Sequence, residues 1–178
     1  RHIWKMVMSP EFRKEGYKWI CIDSLTELAE RMIEHFEKEH ENSGNGFQLW
    51  GDYARAMTSV LKSIRDLPFH VYITCLAKEE KTPNHTIEYW PHVPGQAVGK
   101  KIPALFDHVL CGVRVTEKDD KGIPKVKRYI ATDEVSGWHG KTRDPRQRLQ
   151  AYEECDDVTA LLSRIAMTDE EFKQQKGK

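Results

Sequence analysis

Asp23 is the residue with the clearest chemical potential in this sequence. It closes the run Lys-Trp-Ile-Cys-Ile at 18–22 and is followed at once by Ser24-Leu25-Thr26-Glu27. A carboxylate leaving the carboxyl end of a buried strand can hold Mg²⁺ through water, because that ion gives up its waters reluctantly. The residues after it also spell a capping box, with Ser24 as the helix cap and Glu27 reaching back. The two readings are compatible, since a cap can directly follow a metal-binding aspartate.

Two other stretches carry groups suited to phosphate or base recognition. Residues 77–95 read as a long polar loop holding Lys78, Lys81, His85, Tyr89, Trp90 and His92. Basic groups interleaved with aromatics suit single-stranded nucleic acid, where bases stack and phosphates pair. Glu79, Glu80 and Glu88 nearly cancel the charge, and a surface loop whose aromatics pack back on the domain accounts for the same residues. The stretch GWHGKTR, 137–143, places Lys141 and Arg143 on a glycine-flexed segment. Side chains at i and i+2 of an extended strand point the same way and could grip one phosphate group. A solvated basic turn is the plainer alternative.

Other chemistries are excluded by spacing. PGQAVGKK, 94–101, imitates a phosphate loop, but three residues rather than four separate Gly95 and Gly99, and Lys101 stands where a hydroxyl should be. No GxxxxGK[ST] run occurs anywhere in the chain. The four cysteines form no CxxC pair and the eight histidines no HExxH, so zinc and dithiol chemistry have no footing.

The elements that must position these groups follow from apolar periodicity. Residues 18–22 are nearly all apolar, as in a strand buried on both faces. From Ser24, Leu25, Leu28, Ala29, Met32, Ile33 and Phe36 build one helical face, broken by NSGNG at 42–46. A second helix runs from about Gly51 to Leu67 along Tyr53, Met57, Val60, Leu61 and Ile64, and Pro68 stops it. HVYITCL, 70–76, is the next strand. A short helix follows at 96–105, then two strands, DHVLCGVRVTE and VKRYIAT, and a helix at DDVTALLSRI. Strand, two helices and strand indicate an α/β domain.

The chain has 178 residues, which suits one domain. Lys plus Arg equal Asp plus Glu at 28 each, so no global charge pulls it toward nucleic acid or membrane, and any such site is a local patch. No stretch is apolar enough to cross a bilayer and none reads as a secretory signal, so a reduced cytoplasmic setting is expected.

Taken in order, WICIDSLTEL, WGDYARAMTSVLKSIRDLPFHVYITCLAKEEK, VPGQAVGKKIPALFDHVLCGVRV and GKTRD resemble the phage-type AAA-labelled ATPases of the RecA-like superfamily, which are found beside phage single-strand annealing and recombination genes. The resemblance runs from about Tyr17 to Ile165. It implies an α/β RecA-like P-loop NTPase core over 1–178, with a mainly parallel central sheet flanked by helices and a tail fraying from 166. The family's phosphate loop precedes the aspartate-ended strand. On this resemblance the N-terminal strand and loop are absent here, the chain is a C-terminal portion of a longer protein, and alone it is expected to be inactive.

The resemblance also implies roles. ATP and Mg²⁺ are the cofactors, with Asp23 on the Mg²⁺ side, Ser24 beside it, and Thr74 sensing the γ-phosphate. Lys78, Lys81, Tyr89 and Trp90 lie in the DNA-facing region. Lys141 and Arg143 reach a neighbouring subunit's nucleotide. The implied partners are single-stranded DNA, further copies in a ring or filament, and a phage single-strand-binding protein, in the cytoplasm of a bacterial host. The rival expectations are a non-catalytic DNA-binding or oligomer-forming module with the same fold, and a nucleotide kinase-like protein.

Overall fold

The structure, a computed structural model, describes residues 2–41, 46–118, 120–155 and 157–176. In chain order the elements are α1 (His2–Val7), α2 (Pro10–Lys14), β1 (Trp19–Ile22), α3 (Leu25–Glu39), α4 (Gly46–Arg65) and β2 (His70–Ile73). Next come β3 (Ala77–Lys81), β4 (Ile87–Pro91), α5 (Gln96–Lys101), a 3₁₀ turn (Ile102–Leu105), β5 (His108–Val109), β6 (Cys111–Lys118) and β7 (Pro124–Ala131). The last are β8 (Glu134–Val135), β9 (Trp138–His139), β10 (Lys141–Thr142), β11 (Tyr152–Glu154), α6 (Val158–Ala166) and α7 (Asp169–Lys176). The helix-breaking run expected at 42–46 lies, apart from Gly46, outside the described residues. Residues 1–178, which length alone reads as one domain, divide into two compact units: Arg1–Lys78 with Pro91–Leu105, and Glu79–Trp90 with Phe106–Lys178.

The first unit is built on α3 and α4. Their stripes bury Leu25, Ala29 and Ile33 from one helix and Tyr53, Met57, Leu61 and Ile64 from the other, at the helical spacing read from sequence. Ser24 caps α3, its Oγ accepting from the Glu27 amide at 3.3 Å. The reciprocal half of the expected capping box differs: the Glu27 carboxylate accepts from Arg31 Nε at 2.8 Å, one helical turn on. Beside the helices, β1 and β2 pair in parallel, Trp19 with His70 through Ile22 with Ile73. This pair is not buried on both faces as the apolar run had indicated. Its exposure alternates, and Trp19 is 50% exposed.

Tyr53 is fully buried, and its hydroxyl has no hydrogen-bond partner among the described residues. Burial pushes its phenol up to about 12 from the ordinary 10.0. Between those values the unfolded chain releases the Tyr53 proton while the folded chain keeps it, so stability falls as pH rises above about 10. Tyr53→Phe removes that contribution. It is expected to be neutral or stabilising, by on the order of 1 kcal/mol, at neutral pH, because an unpaired buried hydroxyl is lost. Parallel denaturant titrations of parent and variant at pH 7 and 11 check both: the variant's advantage should widen at the higher pH.

The second unit contains short sheets, ordered β3-β4-β9-β8, β11-β7-β6 and β10-β5. The expected mainly parallel central sheet is therefore corrected. Beyond β1–β2, a parallel pairing is the single step of β4 with β9, Tyr89 opposite Trp138. β5–β10, β6–β7, β7–β11 and β8–β9 are antiparallel. The connections explain this. A parallel return needs a crossover of a dozen or more residues, whereas β6 and β7, like β8 and β9, follow one another through turns too short for one. The loop expected at 77–95 is also largely strand. Thr82 and Thr86 close a turn, N–H to carbonyl at 2.9 Å and hydroxyl to hydroxyl at 2.6 Å, between the neighbouring strands β3 and β4.

The tail expected to fray from 166 carries α7, fastened through Arg148, whose side chain is 2% exposed. The Arg148 guanidinium donates to Asp169 Oδ1 at 2.6 Å, to the Arg164 carbonyl at 3.3 Å and to the Met167 carbonyl, and lies over the Phe172 ring.

Candidate functional site

Parallel pairing of β1 with β2 brings Asp23 and Thr74, 51 residues apart, to adjacent carboxyl ends. The Thr74 hydroxyl donates to Asp23 Oδ1. The ladder continues past the strands: the Thr74 amide donates to Ile22 O at 3.0 Å and the Leu25 amide to Thr74 O at 2.8 Å. Asp23 is exposed and Thr74 half-buried, and the Asp23–Ser24 peptide is cis. The cap and the strand-end carboxylate are separate side chains with separate partners. Ser24 Oγ faces into α3 while Asp23 faces Thr74 at the strand ends.

Thr26 also holds this corner, and its role was not visible in sequence. It is 5% exposed; its hydroxyl accepts from the Leu76 amide at 3.1 Å and lies 3.5 Å from Cys75 Sγ. It thereby ties the first turn of α3 to the chain leaving β2. Nothing in the local run Leu25-Thr26-Glu27-Leu28 marks Thr26 for burial.

The geometry suits the cation side of a nucleotide site. An exposed carboxylate at the end of a parallel strand can reach Mg²⁺ through water, and its hydroxyl neighbour fixes the carboxylate's orientation. Among the described residues no group of three His, Cys, Asp or Glu side chains is arranged to hold a metal alone. A cation here would take its remaining ligands from water and phosphate. The 94–101 run supplies no phosphate cradle. It forms the six-residue α5, with Gly99 buried and an added Cβ there only 3.1 Å from the Pro91 carbonyl. Nor is a cysteine nucleophile available at neutral pH from Cys75 or Cys111: burial raises both thiols, that of Cys111 to about 11.

Lys141 and Arg143 fall where an i, i+2 pair can share one side. Lys141 is half-buried on β10 opposite Val109. The Arg143 amide extends that ladder to the Asp107 carbonyl at 3.2 Å. The Arg143 guanidinium, 73% exposed, pairs with Asp107 at 3.0 Å. The flanking glycines are not the flexible joints the sequence indicated. A Cβ at Gly137 would sit 2.1 Å from the Ile87 carbonyl, and one at Gly140 would sit 2.7 Å from the Asp133 carbonyl. Both are close-approach positions where only glycine lets neighbouring backbone pass.

The four residues of the base-stacking reading are distributed over two strands. Lys78 and Lys81 are three apart on β3 and so lie on opposite faces, as do Tyr89 and Trp90 on β4. Tyr89 stacks on Trp138 with centroids 4.1 Å apart, and Trp90 stacks on His139 at 3.6 Å. Trp90 Nε1 donates to Glu88 at 3.0 Å. One face of each ring is therefore taken within the fold.

A mixed α/β chain with a carboxylate and a hydroxyl at the ends of adjacent parallel strands has the build of a nucleotide-binding protein. The model of the AAA domain family matches residues 3–144, a span that includes Asp23, Thr74, Lys141 and Arg143, and the chain belongs to that family. Nucleotide-binding, ATPase-like function of the P-loop type, with Mg²⁺ as the usual companion ion, comes with that membership. No curated protein and no solved structure matches the chain. Among the described residues no helix is long and apolar enough to cross a membrane.

Proposed function

We propose that this chain forms the cation-side and DNA-side portion of an Mg²⁺-dependent ATPase that acts on single-stranded DNA in phage recombination or annealing, within the cytoplasm of a bacterial host. The observation that carries the reading is the Asp23–Thr74 pair at the ends of β1 and β2. Mg²⁺ bound with ATP would supply charge neutralisation at the phosphoryl oxygens. On this reading Asp23 would orient the ion's water shell, and Thr74 would donate to the γ-phosphate once its hydroxyl turned from the carboxylate. The sequence contains no GxxxxGK[ST], so on this reading the phosphate cradle comes from residues outside it.

Oligomerisation into a ring or filament follows from the proposed roles of Lys141 and Arg143, which would act on the nucleotide of an adjacent copy. A phage single-strand-binding protein would be a further partner. The Arg143–Asp107 pair is compatible with such a role, because exposed ion pairs contribute only about 0–1 kcal/mol and are readily exchanged for a phosphate. Arginine's planar fork suits bidentate contact with phosphate oxygens.

The test is steady-state ATP hydrolysis by the product of the whole reading frame, with single-stranded DNA, duplex DNA or no DNA. Stimulation by the single strand supports the reading; absence of hydrolysis under all three conditions overturns it. In the same assay Arg143→Ala is expected to lower turnover at least ~100-fold, since cations supplied to a transferring phosphoryl group can contribute about 10³ or more. Mixing it with Asp23→Ala should restore part of the activity, because some interfaces then hold both groups intact. No recovery at any ratio, in oligomers shown to exchange subunits, would contradict action between subunits.

A further inference from the structure

Arg143 stands between two fixed points. On the β10 side its amide donates to the Asp107 carbonyl at 3.2 Å, which ties the chain to β5. On the other side Asp144 gathers the backbone that follows. One of its carboxylate oxygens accepts from the Arg146 amide at 3.3 Å; the other accepts from the Leu149 amide at 2.9 Å and from the Arg148 amide. The Asp144 carbonyl accepts from the Gln147 amide at 3.1 Å, closing a turn with Pro145 at its second position. All four amides from 146 to 149 therefore end on one residue. Gln147 sits at a φ of 49°, a region that non-glycine residues rarely enter, so these bonds hold the turn against local preference. The far end of the turn is pinned as well, because the buried Arg148 side chain is held by the Arg164 carbonyl and Asp169.

We infer that Asp144 is a positioning residue for the Arg143 guanidinium in ATP hydrolysis, acting through the backbone and without contact to the nucleotide. The inference rests on the role proposed above for Arg143 at the nucleotide of an adjacent copy. The Arg143 side chain is 73% exposed, and its pair with Asp107 at 3.0 Å is exposed too, so side-chain contacts constrain it weakly. The position of its Cα and the direction of its Cα–Cβ bond are set by the backbone on either side. A cation aimed at a transferring phosphoryl group works only in place, and a displacement of about 1 Å can cost about 10²-fold in rate. The β5–β10 ladder fixes the chain before Arg143, with Thr142 opposite His108. Asp144 fixes it after. Lys141 lies within the ladder itself, opposite Val109, and depends less on the turn.

The experiment is steady-state ATP hydrolysis by the product of the whole reading frame and by its Asp144→Ala, Arg143→Ala and doubly substituted variants. Asp144→Ala is expected to lower kcat about tenfold or more, with the KM for ATP within about twofold of the parent, because the nucleotide keeps its own contacts. In the double variant the Asp144 substitution should add less than about twofold to the loss from Arg143→Ala, since a residue that acts through Arg143 then has nothing left to position. A purely structural role would lower both backgrounds alike, so a further loss of about tenfold in the double variant overturns the inference. An unchanged kcat in Asp144→Ala, or a loss confined to KM, overturns it too. Asp144→Asn keeps one carbonyl oxygen for the amides and should fall between the parent and Asp144→Ala. It carries the same comparison if the alanine variant melts below the assay temperature. If the parent hydrolyses no ATP, or Arg143→Ala retains full turnover, the role proposed for Arg143 falls, and this inference with it.

Discussion

Asp23→Asn is expected to lower ATP turnover about 100-fold or more while leaving thermal stability within about 1 °C of the parent. The exchange keeps an oxygen that can accept from the Thr74 hydroxyl, so the corner between β1 and β2 persists. It removes the negative charge on which water-mediated Mg²⁺ binding depends. A loss of two or more decades in rate corresponds to about 2.7 kcal/mol of transition-state stabilisation, within what a catalytic cation supplies. Stability should hardly move because Asp23 is exposed and its substitution empties no cavity. Thr74→Val should give a smaller rate loss, since it removes one donor and no charge. Steady-state kinetics beside a melting curve for each variant separates the two effects.

Arg148→Ala carries the largest expected stability effect, about 3 kcal/mol in the unfolding free energy. The arginine is buried while its acidic partner Asp169 is 71% exposed, so the Asp169 pairing contributes only part of this. More comes from the Arg164 and Met167 carbonyls, which lose a charged donor, and from the Phe172 ring, which loses the guanidinium 4.9 Å from its centroid. Asp144 accepts from the amides of Arg148 and Leu149, which fixes the turn that delivers the side chain. Arg148→Lys should recover less than half of the loss, because an ammonium cannot span carbonyls and carboxylate as a planar fork does. Urea denaturation measures the size of the effect, and amide exchange should show α7 losing protection first. A change below about 1 kcal/mol would mean that Arg148 only decorates the tail.

The parts of the fold legible in sequence were those written in local patterns. The stripes of α3 and α4 stood at helical spacing, and Ser24 stands at its expected cap position. Asp23 was legible because an apolar run ended on it, whereas Thr74 came only from the family resemblance, the run HVYITCL continuing past it to Leu76.

What escaped depended on partners far along the chain. Ala-Lys-Glu-Glu-Lys carries no apolar alternation, yet it forms β3, because backbone bonding to a neighbouring strand does not require apolar side chains. Gly137 and Gly140 looked like joints. Their close approaches, to Ile87 and Asp133, exist only after β4, β8 and β9 have come together. Arg148 lies in the irregular run before β11, where no local apolar pattern marks it for burial. Its burial depends on α6 and α7 closing over it.

The claim that Asp23 marks the cation side of a nucleotide site is tested most directly by electron paramagnetic resonance of Mn²⁺, substituted for Mg²⁺, titrated with ATP into the product of the whole reading frame and into its Asp23→Asn variant. The expected result is ATP-dependent retention of Mn²⁺ by the parent and retention at least ~10-fold weaker in the variant, with ATP still bound by both. Equal Mn²⁺ retention by parent and variant in the presence of bound ATP would contradict it.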